Sequence, residues 1–272
     1  MTRLPLSLLV GGAITAAYLA AALTSRVWTP ADPTAMNIAR RLAPPGEAGF
    51  LGTDQIGRDV ASILMAGAWT SLGIAAVAVA LGAALGTAAG LAAAAMGGRA
   101  ERAVMSLNAV MFAFPPILSA ILLGALLGPG GGTAILAIGL FMIPVFARIA
   151  RGAALPVWAR DYVAAARMAG KGRARITLEH VLPNISGQIV VQLAIQTGLA
   201  ILAEAGLSFL GMGVPPPSPS WGRMLSEAQT WIGTAPHLVL APGLAIAGAV
   251  LGLNLLGDGL RDLTDPRRDH SA

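Results

Sequence analysis

The chain has 272 residues, of which 56% are hydrophobic and only 11% charged, and its mean hydropathy is +0.72. Soluble domains carry about 25% charged residues, so this composition excludes an ordinary water-soluble globular protein; 34 glycines and few aromatics suit closely packed membrane helices instead. There is no cysteine, which excludes disulfides and thiolate metal sites, and the net charge of +5 points to a nucleic acid or to a membrane surface as partner.

A helix needs about 20 apolar residues to cross a bilayer, and six stretches qualify: 4–23, 71–95, 103–127, 132–150, 185–211 and 238–256. The first follows Arg3 and ends in "YLAAALTS", as a signal peptide could. A signal core is about 7–15 residues, however, and this run is longer, so an uncleaved first span is expected. The stretch 24–68 is too polar to cross. Within it, "LGTDQIGRDVAS" offers Thr53 or Asp54 as the cap of a helix starting near Gln55, with Arg58 and Asp59 where the chain enters the membrane. A capped surface helix on the bundle and a contact with an external partner are both open readings. In the second span Gly82, Gly86 and Gly90 have the spacing of close helix contact, within the chain or with another subunit. The third contains "FAFPPIL", where Pro115 and Pro116 bend or break the helix.

The fifth span carries Gln188, Gln192, Gln196, Glu204 and Ser208 at multiples of four. Each step of four turns about 40°, so the stripe wraps and only neighbours share a face. An acid inside a membrane is a functional candidate by default. Gln192, Gln196 and Glu204 are therefore candidates for a polar path, with burial at a subunit interface or pairing with an external base as the other readings for Glu204. "PPPSPSWG" (215–222) reads as a rigid external turn, with Trp221 at the membrane interface or against an external partner. The chain thus divides into 1–70 (first span and external loop), 71–256 (a five-helix core with a loop at 151–184) and a tail, 257–272.

If the N-terminus is inside, thirteen of the 18 Lys and Arg residues fall on inner segments and five outside, among them Arg58 and Arg223. That asymmetry is the positive-inside pattern. It assigns the basic excess to orientation, with both ends inside, and leaves no nucleic-acid partner to be expected. His180, His237 and His270 are scattered, without a second ligand at metal spacing, so no metal site is expected.

The inner loop holds "RMAGKGRARITLEHVLPN" (167–184). Its Gly-Lys-Gly is no phosphate-binding loop: Ala165 stands where the first glycine belongs, and Gly172 follows Lys171 in place of a hydroxyl residue. The chain is therefore not expected to bind or hydrolyse ATP, and it is no enzyme by itself. Leu155, Trp158, Tyr162 and Ala165 or Ala166 recur at helical spacing, and Gly170 to Gly172 end that helix, which spans 155–169. A short basic helix then runs to Pro183. A helix lying on the membrane lipid and a docking helix for a partner fit these residues equally.

The stretch "YVAAARMAGKGRARITLEHVLPN" resembles the EAA loop of ABC-importer membrane subunits: Glu-Ala-Ala, three residues, Gly, nine residues, Ile-x-Leu-Pro. Aligned on Gly170, that motif falls on Ala164, Ala165 and Ala166 and closes at Leu182 and Pro183. Ala164 replaces the glutamate and His180 the isoleucine. "FLGTDQIGRDV" (50–60), "FAFPPILSAI" (112–121), "ILAEAGLSFLGMGVPPPSPSWGRML" (201–225) and "NLLGDGLRDLTDPR" (254–267) resemble, in that order, the second permease of dipeptide, oligopeptide and nickel ABC importers.

The resemblance implies an all-α membrane protein of six spans with a cytoplasmic coupling helix. It implies a homologous second permease, two ATPase subunits that hold ATP and Mg, an external substrate-binding protein and a peptide substrate, with a metal chelate such as nickel as the alternative. It assigns ATPase coupling to Trp158, Tyr162, Ala164, Ala165, Ala166, Gly170, Lys171, Leu182 and Pro183. External receptor contact would fall to Asp54, Arg58, Asp59 and Trp221. An ion-coupled secondary transporter is the remaining alternative; it predicts paired broken spans in matching halves and would leave the inner loop without a role.

Overall fold

The computed structural model describes residues 4–264. Arg3, Arg267, Arg268 and His270 lie outside the described residues, as does the expected tail beyond 264. Ten α-helices follow one another among the described residues. The helices are α1 (Leu6–Thr24), α2 (Val60–Met96), α3 (Gly98–Ala113), α4 (Pro116–Leu127), α5 (Gly131–Trp158), α6 (Asp161–Met168), α7 (Arg173–Ile176), α8 (Leu182–Phe209), α9 (Trp221–Ala228) and α10 (His237–Thr264). Five are long and apolar enough to span a membrane, counting Arg173–Phe209 as one helix, and α3 with α4 forms a sixth span bent by 84°. The break falls at Phe114 and Pro115, both extended, since a residue before proline avoids the helical region.

That the broken pair crosses the membrane follows from its neighbours. Gly131 at the start of α5 lies against Ile74, Gly139 against Ala78, Met142 against Gly82 and Ala147 against Gly90. Residue numbers rise together, so α2 and α5 are parallel, and α3–α4 must carry the chain back between them. The seam uses the three glycines of α2. A β-carbon on Gly82, Gly86 or Gly90 would strike the backbone of α5, so only hydrogen there permits this approach. The glycine spacing is thus an intrachain contact. α1 packs antiparallel on α10 in the same manner, with Gly11 against Leu255 and Leu256, and Gly259 against Leu8.

Several boundaries differ from expectation. The second span begins at Val60, eleven residues before the expected 71, because Asp59 caps it: its carboxylate accepts the Ser62 N–H at 2.8 Å. No helix starts near Gln55. Asp54 instead accepts the N–H groups of Ile56 and Arg58 at 3.0 and 2.9 Å, closing a turn, and Thr53 pairs with Asp59 as an isolated bridge. The last span runs on to Thr264 through residues expected as tail.

Candidate docking site and translocation path

At the inner end, α5 stops at Trp158 and the chain turns through an extended Arg160 into α6. The expected helix 155–169 is therefore two helices, and residues 155–158 belong to the span. Asp161 in the first turn of α6 and Arg167 in its last match the helix dipole. Gly170 ends it with φ +82°, where a side chain is strained. The Lys171 N–H then reaches back to the Ala166 carbonyl at 3.1 Å. The following basic helix is not separate either. α7 passes through a π-turn, Thr177–Val181, directly into α8. Pro183 has no N–H, and its ring would strike the carbonyl of residue 179 in a regular helix; the wider turn relieves this.

These elements form a knuckle with its own small core. Trp158, Val163, Ala166, Ile176, Val181 and Ile185 are buried together with Leu91, Ala150 and Ala154. Arg167 covers the Trp158 ring from outside, 5.0 Å from its centroid. Lys171 donates to Glu179 at 2.6 Å and faces His180 at 3.2 Å, while Arg175 also bonds Glu179 at 2.6 Å. Of the coupling residues expected from sequence, Tyr162, Ala164, Ala165, Gly170 and Pro183 are exposed, and Lys171 and Leu182 are half-buried. Trp158 and Ala166 are not on the surface: they are the support beneath it, Trp158 closing the inner end of α5 and Ala166 on the face of α6, with Val163, that packs onto it. Met168, 90% exposed, is the apolar residue that sequence reasoning missed.

Above the knuckle, Glu101 of α3 and Arg151 of α5 are hydrogen-bonded at 2.6 Å, and Arg148 lies over the Phe112 ring at 4.6 Å. Higher in the bundle a cavity of about 390 Å³ opens between α4, α5 and α8. Gln196 is the one polar side chain among its lining residues. Gln192 and Glu204 are outside that lining. Glu204 is wholly buried where α2, α8 and the start of α9 meet.

On the outer side, Arg58 bonds both Asp54 (2.6 Å) and Glu227 of α9 (3.0 Å), and Arg223 bonds Glu227 at 2.6 Å. Burial would raise the Glu227 carboxyl, but the Arg223 hydrogen bond and the charges of Arg58 and Arg223 outweigh it and hold it below the ordinary carboxylate range. Asp54 is buried, and Asp59 is occupied as a cap. Trp221 is 1% exposed, not interfacial. Gly67 leaves it room, its Nε1 donates to the Leu64 carbonyl at 3.0 Å, and the Tyr18 ring packs against it edge-on. The exposed external features near α9 are instead the proline turn 215–218 and Gln229, Thr230 and Ile232.

Six apolar spans over a packed inner knuckle, with a folded external segment, make this a polytopic membrane protein, and the family its sequence matches makes it a permease subunit of an ABC importer. The chain belongs to the family described as "Binding-protein-dependent transport system inner membrane component", matched over residues 82–270, and it is a multi-pass protein of the inner membrane. Permeases of this class act with partner permease, ATPase and binding-protein subunits.

Among its relatives are a glutathione transport permease, GsiD, of Pectobacterium atrosepticum and a di/tripeptide transport permease, DppC, of Pseudomonas aeruginosa. The first is 42% identical over 82% of this chain and 74% of the relative. The second is 40% identical over 89% and 82%. The fold is similar to that of a chain in the inward-facing MetNI methionine ABC transporter, with a TM-score of 0.63 at 18% identity, covering 75% of this chain and 97% of that one.

Proposed function

We propose that this permease forms half of a pathway for short peptides, delivered outside by a binding protein and driven inside by ATPase subunits that carry ATP and Mg. The observation that carries the reading is the knuckle: Tyr162, Ala165 and Met168 form an exposed apolar face over a packed core, tied to α5 at one end and α8 at the other. A surface of this kind suits a protein partner that pushes on it, because the packed support passes displacement to two spans at once. The chain supplies the lever, and ATP hydrolysis belongs to the partner subunits.

Peptide as cargo is supported by the names of the relatives and by the cavity beside Gln196. Its apolar walls take varied side chains, and its single carboxamide can both donate to and accept from a peptide backbone. Receptor docking is assigned to the exposed turns flanking α9 rather than to Asp54 or Trp221, whose burial removes them from contact.

The test is uptake by proteoliposomes holding both permeases and both ATPases, supplied with the cognate receptor and labelled di- and tripeptides, glutathione or nickel chelates. Peptide uptake that depends on receptor and ATP is expected. Uptake under an ion gradient without ATPase, or of chelate alone, overturns the reading. Native cysteine is absent, so a single cysteine at Met168 reports knuckle contact directly by crosslinking to an ATPase.

A further inference from the structure

The carboxyl of Glu204 has no part in the roles above, although an acid enclosed at this depth is costly to keep. It is 0% exposed, and Oε1 accepts a 2.6 Å hydrogen bond from Ser208 Oγ one turn further along α8. Two more buried hydroxyls face the same carboxyl: Ser71 from α2 and Ser220 from the turn that opens α9. Oε2 has no hydrogen-bond partner of ordinary geometry. One side chain therefore stands where three elements converge.

The packing around it is backbone-close. A β-carbon on Gly222 would run into the backbone of Ala205, the residue after Glu204. Ser71 Oγ also accepts the backbone N–H of Trp221 at 3.2 Å. From this junction the helix returns as one rod to Arg173 at the knuckle. On its outer side lie the exposed turns that flank α9.

We infer that Glu204 is a positioning residue that clasps α9 to α8, so that a receptor seated on the outer turns displaces α8 and, through it, the knuckle. The inference rests on the receptor surface proposed above. Its physical basis is that close-packed junctions shift between discrete arrangements rather than deform smoothly, so a displacement at one end of a rod reaches the other. Ser71 and Ser220 would hold the α2 and α9 sides of the clasp.

The test uses the full complex in proteoliposomes, with ATP hydrolysis measured with and without liganded receptor. Glu204→Ala and Ser71→Ala should each cut the stimulated-to-basal ratio about fivefold or more, the lower end of typical site-to-site coupling, with basal hydrolysis and assembly unchanged. Glu204→Gln still accepts from Ser208 and gains donors for Ser71 and Ser220, so it should keep most of the ratio. An unaltered ratio in all variants overturns the inference. So does a parallel fall in basal and stimulated rates, which a merely structural role would give. If Glu204→Ala fails to assemble, Ser71→Ala reads the same ratio. A native complex that binds receptor without any stimulation, or a receptor that never crosslinks to 215–218, would instead remove the docking surface on which the clasp depends.

Discussion

Arg58 and Glu227, 169 residues apart in sequence, meet at 3.0 Å on the outer face of the bundle. Their contact joins the turn before α2 to α9, and with Asp54 and Arg223 it makes one connected network. Partial burial of all four side chains gives this network more weight than isolated surface ion pairs, which contribute about 0–1 kcal/mol.

The network predicts a pH dependence. The Glu227 carboxyl is held below its ordinary value in the folded protein, so its stabilisation is fully present above the unfolded value of about 4.3. It is lost as pH falls through the lower folded value. The melting temperature of the purified complex should therefore drop below about pH 4, and drop less steeply in Glu227→Gln. Identical profiles for the two proteins would rule out this carboxylate as the source.

Gly86 sits in the α2–α5 seam, where a β-carbon would meet the Ile143 carbonyl and Phe146. Gly86→Ala should destabilise by about 1–3 kcal/mol, the usual cost of overpacking, and Gly86→Leu should prevent stable insertion. Gly73, whose β-carbon position is open, is the control. Gly73→Ala should leave the melting temperature of the detergent-solubilised chain within about a degree or two of the parent, consistent with surface substitutions staying within about 0.5 kcal/mol.

Gly170 has φ +82°, far from the −65° that proline requires. Gly170→Pro should reset the angle between α6 and α7 while leaving the spans intact. Membrane insertion and ATP hydrolysis are expected to persist while uptake falls tenfold or more, a loss of about 1.4 kcal/mol in coupling. Gly170→Ala, which costs about 1–2 kcal/mol in this conformation, should be intermediate. Full uptake by the proline variant would count against the lever.

Trp158 and Met168 separate support from contact. Truncating buried Trp158 removes packing worth about 3–5 kcal/mol, so Trp158→Ala should lower both melting temperature and uptake. Met168→Asp, at a residue 90% exposed, should leave melting unchanged and weaken ATPase association in pull-downs. Equal effects of the two on melting would contradict their assignment.

Much of this protein is written locally. Span number and sidedness follow from runs of apolar length and from Arg and Lys counts, which need no neighbour to interpret. The end of α6 at Gly170, the break at Pro115 and the proline turn are likewise dictated by backbone chemistry at single residues. The tertiary structure alone decided which side chains face one another. Trp158 and Trp221 look like surface aromatics in sequence, yet each fills a space whose walls come from distant helices. Glu204 reads as one of a polar stripe, but its partners Ser71 and Ser220 lie on other elements. Asp59, not Asp54, became the cap because Asp54 closes a turn with Arg58. Helical period and composition report one face of one element; the partner across a contact is set by packing between elements, and the chain's own periodicity carries no record of that.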